Sequence, residues 1–198
     1  MLSLLQASPA GGHRPCDTFP VRGPAPPYDG EGPFALWHVS ENPRITRFEP
    51  RTGSDGRARV WAVDTRHLPP YWFPRDCPRG TFWADPATTA ADRDAYLGAA
   101  TRVHAIQQDW VNRFDRARLV AYRVPEETFA PHPDVGGYWV SSESVEAGEV
   151  AELIDLGRLH HVAGIPLLVV PHLSSLWQQI TSSSLEFSGM RLRNLAGG

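Results

Sequence analysis

The stretch over residues 60–83, VWAVDTRHLPPYWFPRDCPRGTFW, constrains the fold more than any other part of the chain. Pro69, Pro70, Pro74 and Pro78 fix φ and remove backbone donors, so a regular element cannot run through the middle. Two β-rich runs remain, 59–64 (RVWAVD) and 80–84 (GTFWA), with a proline-punctuated corner between them. Residues 67–73 have room for one or two helical turns. The corner crowds aromatic, guanidinium, carboxylate and thiol groups into Phe73-Pro74-Arg75-Asp76-Cys77-Pro78-Arg79. A second stretch, Leu36-Trp37-His38-Val39-Ser40-Glu41, is expected to lie beside it.

A chain of 198 residues suits one domain with a sizeable core. Its 41% apolar and 21% charged content is an ordinary globular balance. A net charge of −3 and a pI near 6.2 supply no global field for nucleic acid or an anionic membrane. All 19 cations are arginine, which excludes a Schiff-base lysine and a phosphate-loop lysine and suggests a GC-rich bacterial genome. Cys16 and Cys77 read as free thiols in a reducing compartment. No apolar run approaches membrane-spanning length, and the opening Met1-Leu2-Ser3-Leu4-Leu5 is too short and lacks a basic flank for a signal peptide. The expectation is a cytoplasmic protein.

Residues 1–33, rich in proline and glycine, predict a flexible arm. His13 and Cys16 within it do not make a metal site. Residues 34–198 predict one α+β domain with a twisted, mostly antiparallel core sheet and flanking helices. Strands are expected at 34–40, 59–64, 80–84, 103–107, 118–124, 138–141 and 185–192, with 165–170 (IPLLVV) as a central strand. Helices are expected at 89–100, 109–114 and 173–180. An amphipathic helix is expected over 147–161, from the spacing of Val150, Leu153, Ile154 and Leu156, ended by Gly164.

Strand alternation puts His38 and Ser40 on one face, either lining a ligand pocket or, for a buried histidine, anchoring the strand. Arg75, Asp76, Cys77 and Arg79 suit phosphate binding, and the arginines would lower the pKa of an exposed thiol. Cys77 with His38 or His67 would make a nucleophilic dyad. Alternatively, PRDCPR is a rigid structural corner. Tyr71, Trp72, Phe73 and Trp83 either stack on a flat ring such as nicotinamide or adenine, or fill the core. His160 and His161 diverge by about 100° on a helix, so with His172 they are not read as a metal centre. Glu143, Glu146 and Glu149 either compensate a helix dipole or supply a catalytic carboxylate. GxSxG, GxGxxG and GKS/T motifs are absent.

The phrases LWHVSENPRITRFEPR, VWAVDTRHLPPYWFPRDCPRGTFW and SLEFSGMRLRN resemble an uncharacterised bacterial family known only as a domain of unknown function, from about Leu36 to Asn194. More distantly, LWHVS and VWAVD followed by Tyr71 resemble the ADP-ribosyltransferase-like fold, in the group with a His-Tyr-Glu signature. That resemblance implies NAD as substrate and either ADP-ribosyl transfer or NAD hydrolysis; no metal is expected, from the histidine spacing. It implies His38 and Ser40 at the ribose, Tyr71 on the nicotinamide, and Arg51, Arg75 or Arg79 on the pyrophosphate, with Asp76 and Cys77 beside them. The signature glutamate falls closest to Tyr138, a departure that implies transfer chemistry lost, altered, or borrowed by nearby Glu143. A close carboxylate is needed because cleaving the nicotinamide–ribose bond develops oxocarbenium charge. The implied partner is a small-molecule nucleotide, with no nucleic acid and no membrane. The alternatives are a thiol-dependent enzyme centred on Cys77 and a non-catalytic binding or scaffold domain.

Overall fold

The proline-bracketed corner joins two sheets. The computed structural model describes residues 22–23, 34–53 and 55–195. Its longer strands are β1 (Leu36–Ser40), β2 (Ala58–Asp64), β3 (Arg79–Trp83), β4 (Arg102–Gln107), β5 (Leu119–Val124), β6 (Tyr138–Ser141), β7 (Val150–Leu153), β8 (Leu167–Val170) and β9 (Glu186–Met190). The α-helices among the described residues are α1 (Ala90–Tyr96), α2 (Val111–Arg116), α3 (Leu156–Val162) and α4 (Leu173–Thr181). The first sheet runs β7-β5-β1-β2-β6 with every neighbouring pair antiparallel. The second runs β8-β4-β3-β9, parallel between β8 and β4 and antiparallel elsewhere. The fold is therefore mixed α and β with mostly antiparallel sheets. None of the described helices is long and apolar enough to cross a membrane.

Alternation on β5 divides the core. Leu119 and Ala121 face one apolar cluster with Leu68, Trp72, Phe73 and Ile106, while Val120, Tyr122 and Val124 face another with Leu36, Phe48 and Val60. A third cluster, Phe82, Val103, Ala105, Leu173 and Ile180, seats α4 on the second sheet. Each fully buried Leu or Phe contributes about 1.5–3 kcal/mol of transfer free energy. Between β2 and β3 the chain makes two short 3₁₀ turns, Thr65–His67 and Pro69–Tyr71. Asp64 caps the first, accepting from the His67 backbone N–H.

Two expectations are overturned. Residues 147–161 are not one helix: β7 occupies Val150–Leu153 and pairs with β5, and α3 starts only after Asp155, whose φ of 50° breaks the chain direction. Val150 packs into one cluster while Ala151 and Leu153 pack into the other, a period of two. The helical spacing of the same residues concealed that period. The IPLLVV run forms strand β8, which among the described residues is an edge strand paired only with β4, and leaves Leu168 and Val169 exposed. A continuous apolar run reads the same at an edge as at a centre. Most of the proline- and glycine-rich arm, with His13 and Cys16, lies outside the described residues; Arg22–Gly23 runs parallel beside β7.

Two buried histidines, His104 and His160, pack against aromatic rings of the first cluster, Trp72, Phe73 and Phe114. His160 Nδ1 lies 2.7 Å from the Leu156 carbonyl, and its Nε2 lies 2.9 Å from His104 Nδ1. A carbonyl only accepts, so His160 carries its proton on Nδ1 and accepts at Nε2 from His104 Nδ1–H. Both rings are neutral: burial lowers the pKa of each, that of His160 from 6.5 to about 4. Below pH 6.5 the unfolded chain takes up protons that the folded chain refuses. This contribution to stability is thus complete above pH 6.5 and is lost as pH falls toward about 4. The melting temperature is expected to fall through that window in a pH series. Imidazole ¹H–¹⁵N correlation spectra at pH 5.5 should show both rings still neutral and Nδ1-protonated. Protonated rings at that pH overturn the assignment.

Candidate functional site

The site begins where a strand ladder stops. β1 pairs with β5 along its whole length, but with β2 only at Leu36 and Trp37. Beyond Trp37 the two strands part, and His38 bridges the gap with Nδ1 2.7 Å from the Trp61 carbonyl. Nδ1 therefore carries the proton and Nε2 presents a lone pair. Burial lowers the His38 pKa, the Trp61 carbonyl opposes that shift, and the fields of Arg75 and Arg51 add to it. The ring packs on Phe48 at a centroid distance of 4.4 Å.

A cleft of about 360 Å³ opens here between the two sheets. The first sheet contributes His38, Val39, Ser40, Glu41, Leu119 and Tyr138. The corner contributes Tyr71, Phe73 and Arg75, and the second sheet with its C-terminal extension contributes Arg79, Met190, Arg191 and Arg193. His38 and Ser40 share a strand face as expected, yet Val39 joins them because the cleft lies over the unpaired strand edge.

Arg79, the first residue of β3, is 5% exposed. Its Nε donates to the Pro70 carbonyl at 2.6 Å and its Nη1 to the Cys77 carbonyl at 3.0 Å, while Nη2 reaches the Met190 sulfur at 3.1 Å. The guanidinium lies over the Tyr71 and Phe73 rings at 5.8 and 5.4 Å. No carboxylate pairs with it among the described residues. Burial lowers its pKa, but a guanidinium remains charged. The Tyr71 and Tyr138 rings meet edge to face at a centroid distance of 6.1 Å, and burial raises the pKa of both.

Arg75 is exposed, and its backbone N–H donates to Glu41 Oε1 at 2.9 Å. Arg191, in the left-handed region at φ 55°, donates from Nε to the Arg75 carbonyl at 3.2 Å. Asn194 Nδ2 donates to the Asp76 carbonyl at 2.8 Å. These contacts hold the corner by its backbone and leave the Arg75 guanidinium without an ion pair among the described residues. Four guanidinium groups line the cleft against one carboxylate, Glu41. Ser40 Oγ accepts from the Asn42 N–H at 3.1 Å, so its own proton is available to donate.

Of the residues singled out from sequence, His38, Ser40, Tyr71, Arg75 and Arg79 meet in this cleft. Arg51, Asp76, Cys77 and Glu143 do not line it. Arg51 sits on an exposed two-residue strand and reaches His38 only through its field. Asp76 faces outward, with Oδ1 4.0 Å from Arg191 Nε. Glu143 is exposed beyond Ser141, whose hydroxyl accepts its N–H at 3.1 Å, whereas the opposite end of β6 brings Tyr138 to the cleft. Trp72 and Phe73 are core residues. Glu41, Tyr138, Met190, Arg191 and Arg193 were not anticipated as lining residues, although MRLRN belongs to the phrases carrying the family resemblance. No cluster of three or more His, Cys, Asp or Glu that could hold a metal occurs among the described residues.

Residues 37–195 match the profile of a family of unknown function (DUF6886), and the chain belongs to that family. No curated protein and no solved structure matches the chain.

Cys77 is completely buried, 3.6 Å from the Pro78 carbonyl, and burial pushes its thiol up to about 12 against the weaker opposing field of Arg79. His67, the other proposed dyad partner, is held by Asp64 at 2.7 Å. A thiol-dependent reaction thus lacks an accessible thiolate. In a Cys16→Ser background, iodoacetamide at pH 8 should leave the native protein unlabelled and label it fully once denatured. Rapid native labelling with a midpoint below pH 8 would reinstate Cys77 as a nucleophile.

Proposed function

We propose that this member of the family binds a nucleotide-class anion in the cleft, with NAD as the first candidate, on an ADP-ribosyltransferase-like fold. The observation that carries the reading is the convergence of His38, Tyr71, Arg75 and Arg79 on one open cleft where arginines outnumber carboxylates four to one. Guanidinium groups bind phosphate oxygens in bidentate fashion. The His38 Nε2 lone pair and the Ser40 hydroxyl match ribose hydroxyls as acceptor and donor. Tyr71 and Tyr138 offer ring surface to a planar base.

Glu41 is the carboxylate that lines the cleft, so ADP-ribosyl transfer or NAD hydrolysis, if catalysed, falls to Glu41 rather than to Glu143. A second reading, a binding domain without chemistry, is favoured by the Arg75 N–H that already engages Glu41 Oε1 at 2.9 Å. Nicotinamide release from NAD, abolished in Glu41→Gln, separates the two readings.

Isothermal titration with NAD, ADP-ribose, AMP and adenosine tests the proposal. The phosphorylated ligands are expected to bind and adenosine is not. Arg75→Ala should weaken binding about tenfold or more, since a charge-assisted hydrogen bond contributes about 1.5–3 kcal/mol, with the melting temperature unchanged. His38→Ala should also weaken it. No heat from any ligand discards the reading.

A further inference from the structure

A groove of about 430 Å³, lined by Glu41, Pro74, Asn112, Arg113, Arg116 and Arg118 among others, adjoins the cleft. The two share Glu41, and they abut at the consecutive pairs Pro74–Arg75 and Arg118–Leu119. The two therefore adjoin at Glu41. Arg113 and Arg116 lie three residues apart on α2 and so share a helix face. Arg118 follows in the short link to β5. The Arg113 guanidinium stacks over the Trp110 ring at 4.8 Å, which orients its planar fork. All three arginines are exposed, and none makes an ion pair among the described residues. Asp115, on the same helix, does not line the groove.

We infer that this groove is a second phosphate subsite, so that the ligand carries two separated phosphoryl groups, one in the cleft and one over Arg113, Arg116 and Arg118. The inference rests on the nucleotide reading of the cleft and extends it to a substrate class. The cleft alone is at the small end of the range for small-molecule sites, about 300–1,000 Å³, so a ligand longer than a mononucleotide must continue outside it. The groove offers that continuation, with guanidinium groups free to take a second anion. The same chemistry is supplied by a dinucleotide bearing an extra phosphate on its adenosine ribose and by the next phosphodiester of a short oligonucleotide.

Titration of AMP, NAD, NADP and a ten-nucleotide single-stranded RNA into the full chain and an Arg116→Ala/Arg118→Ala variant distinguishes these sources. NADP or the RNA should bind about tenfold or more tightly than NAD, and the variant should lose that advantage while its NAD affinity stays unchanged. If NADP has the advantage, the second phosphate is a ribose phosphate; if only the RNA has it, the source is a phosphodiester. Equal affinity for NAD, NADP and RNA overturns the second subsite and leaves the cleft reading intact. An advantage that survives in the variant, or a variant that weakens NAD equally, overturns it too. Absence of binding by all four overturns both.

Discussion

A buried guanidinium with no paired carboxylate among the described residues is the feature on which both fold and cleft depend. Arg79 ties the two ends of the proline corner through the Pro70 and Cys77 carbonyls, lies over the Tyr71 and Phe73 rings, and touches Met190 on the neighbouring strand. Losing it would leave buried carbonyls unpaired, at about 1–3 kcal/mol each. A buried charge is usually matched by an opposite one. Here carbonyls and ring faces solvate it in part, and the remaining imbalance faces the cleft. An anion entering that space offsets a cost the folded chain already carries.

The second constraint is the early end of the β1–β2 ladder. A continued ladder would fill the gap with paired backbone; instead His38 crosses it to the Trp61 carbonyl. The opposite wall is secured differently. Glu41, Arg191, Asn194 and Arg79 hold the backbone of residues 75–77 at Arg75 N, Arg75 O, Asp76 O and Cys77 O. Because those latches grip main chain, the Arg75 side chain keeps its hydrogen-bonding capacity for something else. Rigid backbone under an uncommitted charged side chain is the arrangement preorganised recognition requires.

The sequence made some of this legible and hid the rest for physical reasons. Strands β1, β2, β3 and β5 follow from alternation and from proline punctuation. Helix α1, within the expected 89–100 span, begins after Thr89, whose side chain accepts from the Asp92 N–H. The 147–161 segment misled because Val150, Leu153 and Leu156 satisfy a helical period and a strand-plus-turn equally well, and only pairing with β5 decides between them. His38, Ser40, Tyr71, Arg75 and Arg79 were readable as a group because they sit in two dense stretches. Tyr138, Arg191 and Arg193 come from segments far along the chain, and no local pattern reveals which distant element completes a cleft. Cys77 and Arg79 are both buried, yet composition cannot say that Arg79 lines the cleft and Cys77 does not.

Electrostatics bears on what chemistry such a cleft favours. Breaking a nicotinamide–ribose bond places positive charge on the sugar, and a site that accelerates it needs negative charge close to that carbon. This cleft has Tyr138 where the signature glutamate was expected. Its one carboxylate, Glu41, is engaged by a backbone N–H, and four guanidinium groups surround the space. That field favours the phosphates of a nucleotide in the ground state more than an oxocarbenium ion in the transition state. Unless the sugar docks against Glu41, with the phosphates drawn away toward Arg75 and Arg79, the arrangement promotes tight binding without faster bond cleavage. Under the proposed nucleotide reading, the position of the ligand's sugar relative to Glu41 is what would separate a transferase from a nucleotide receptor.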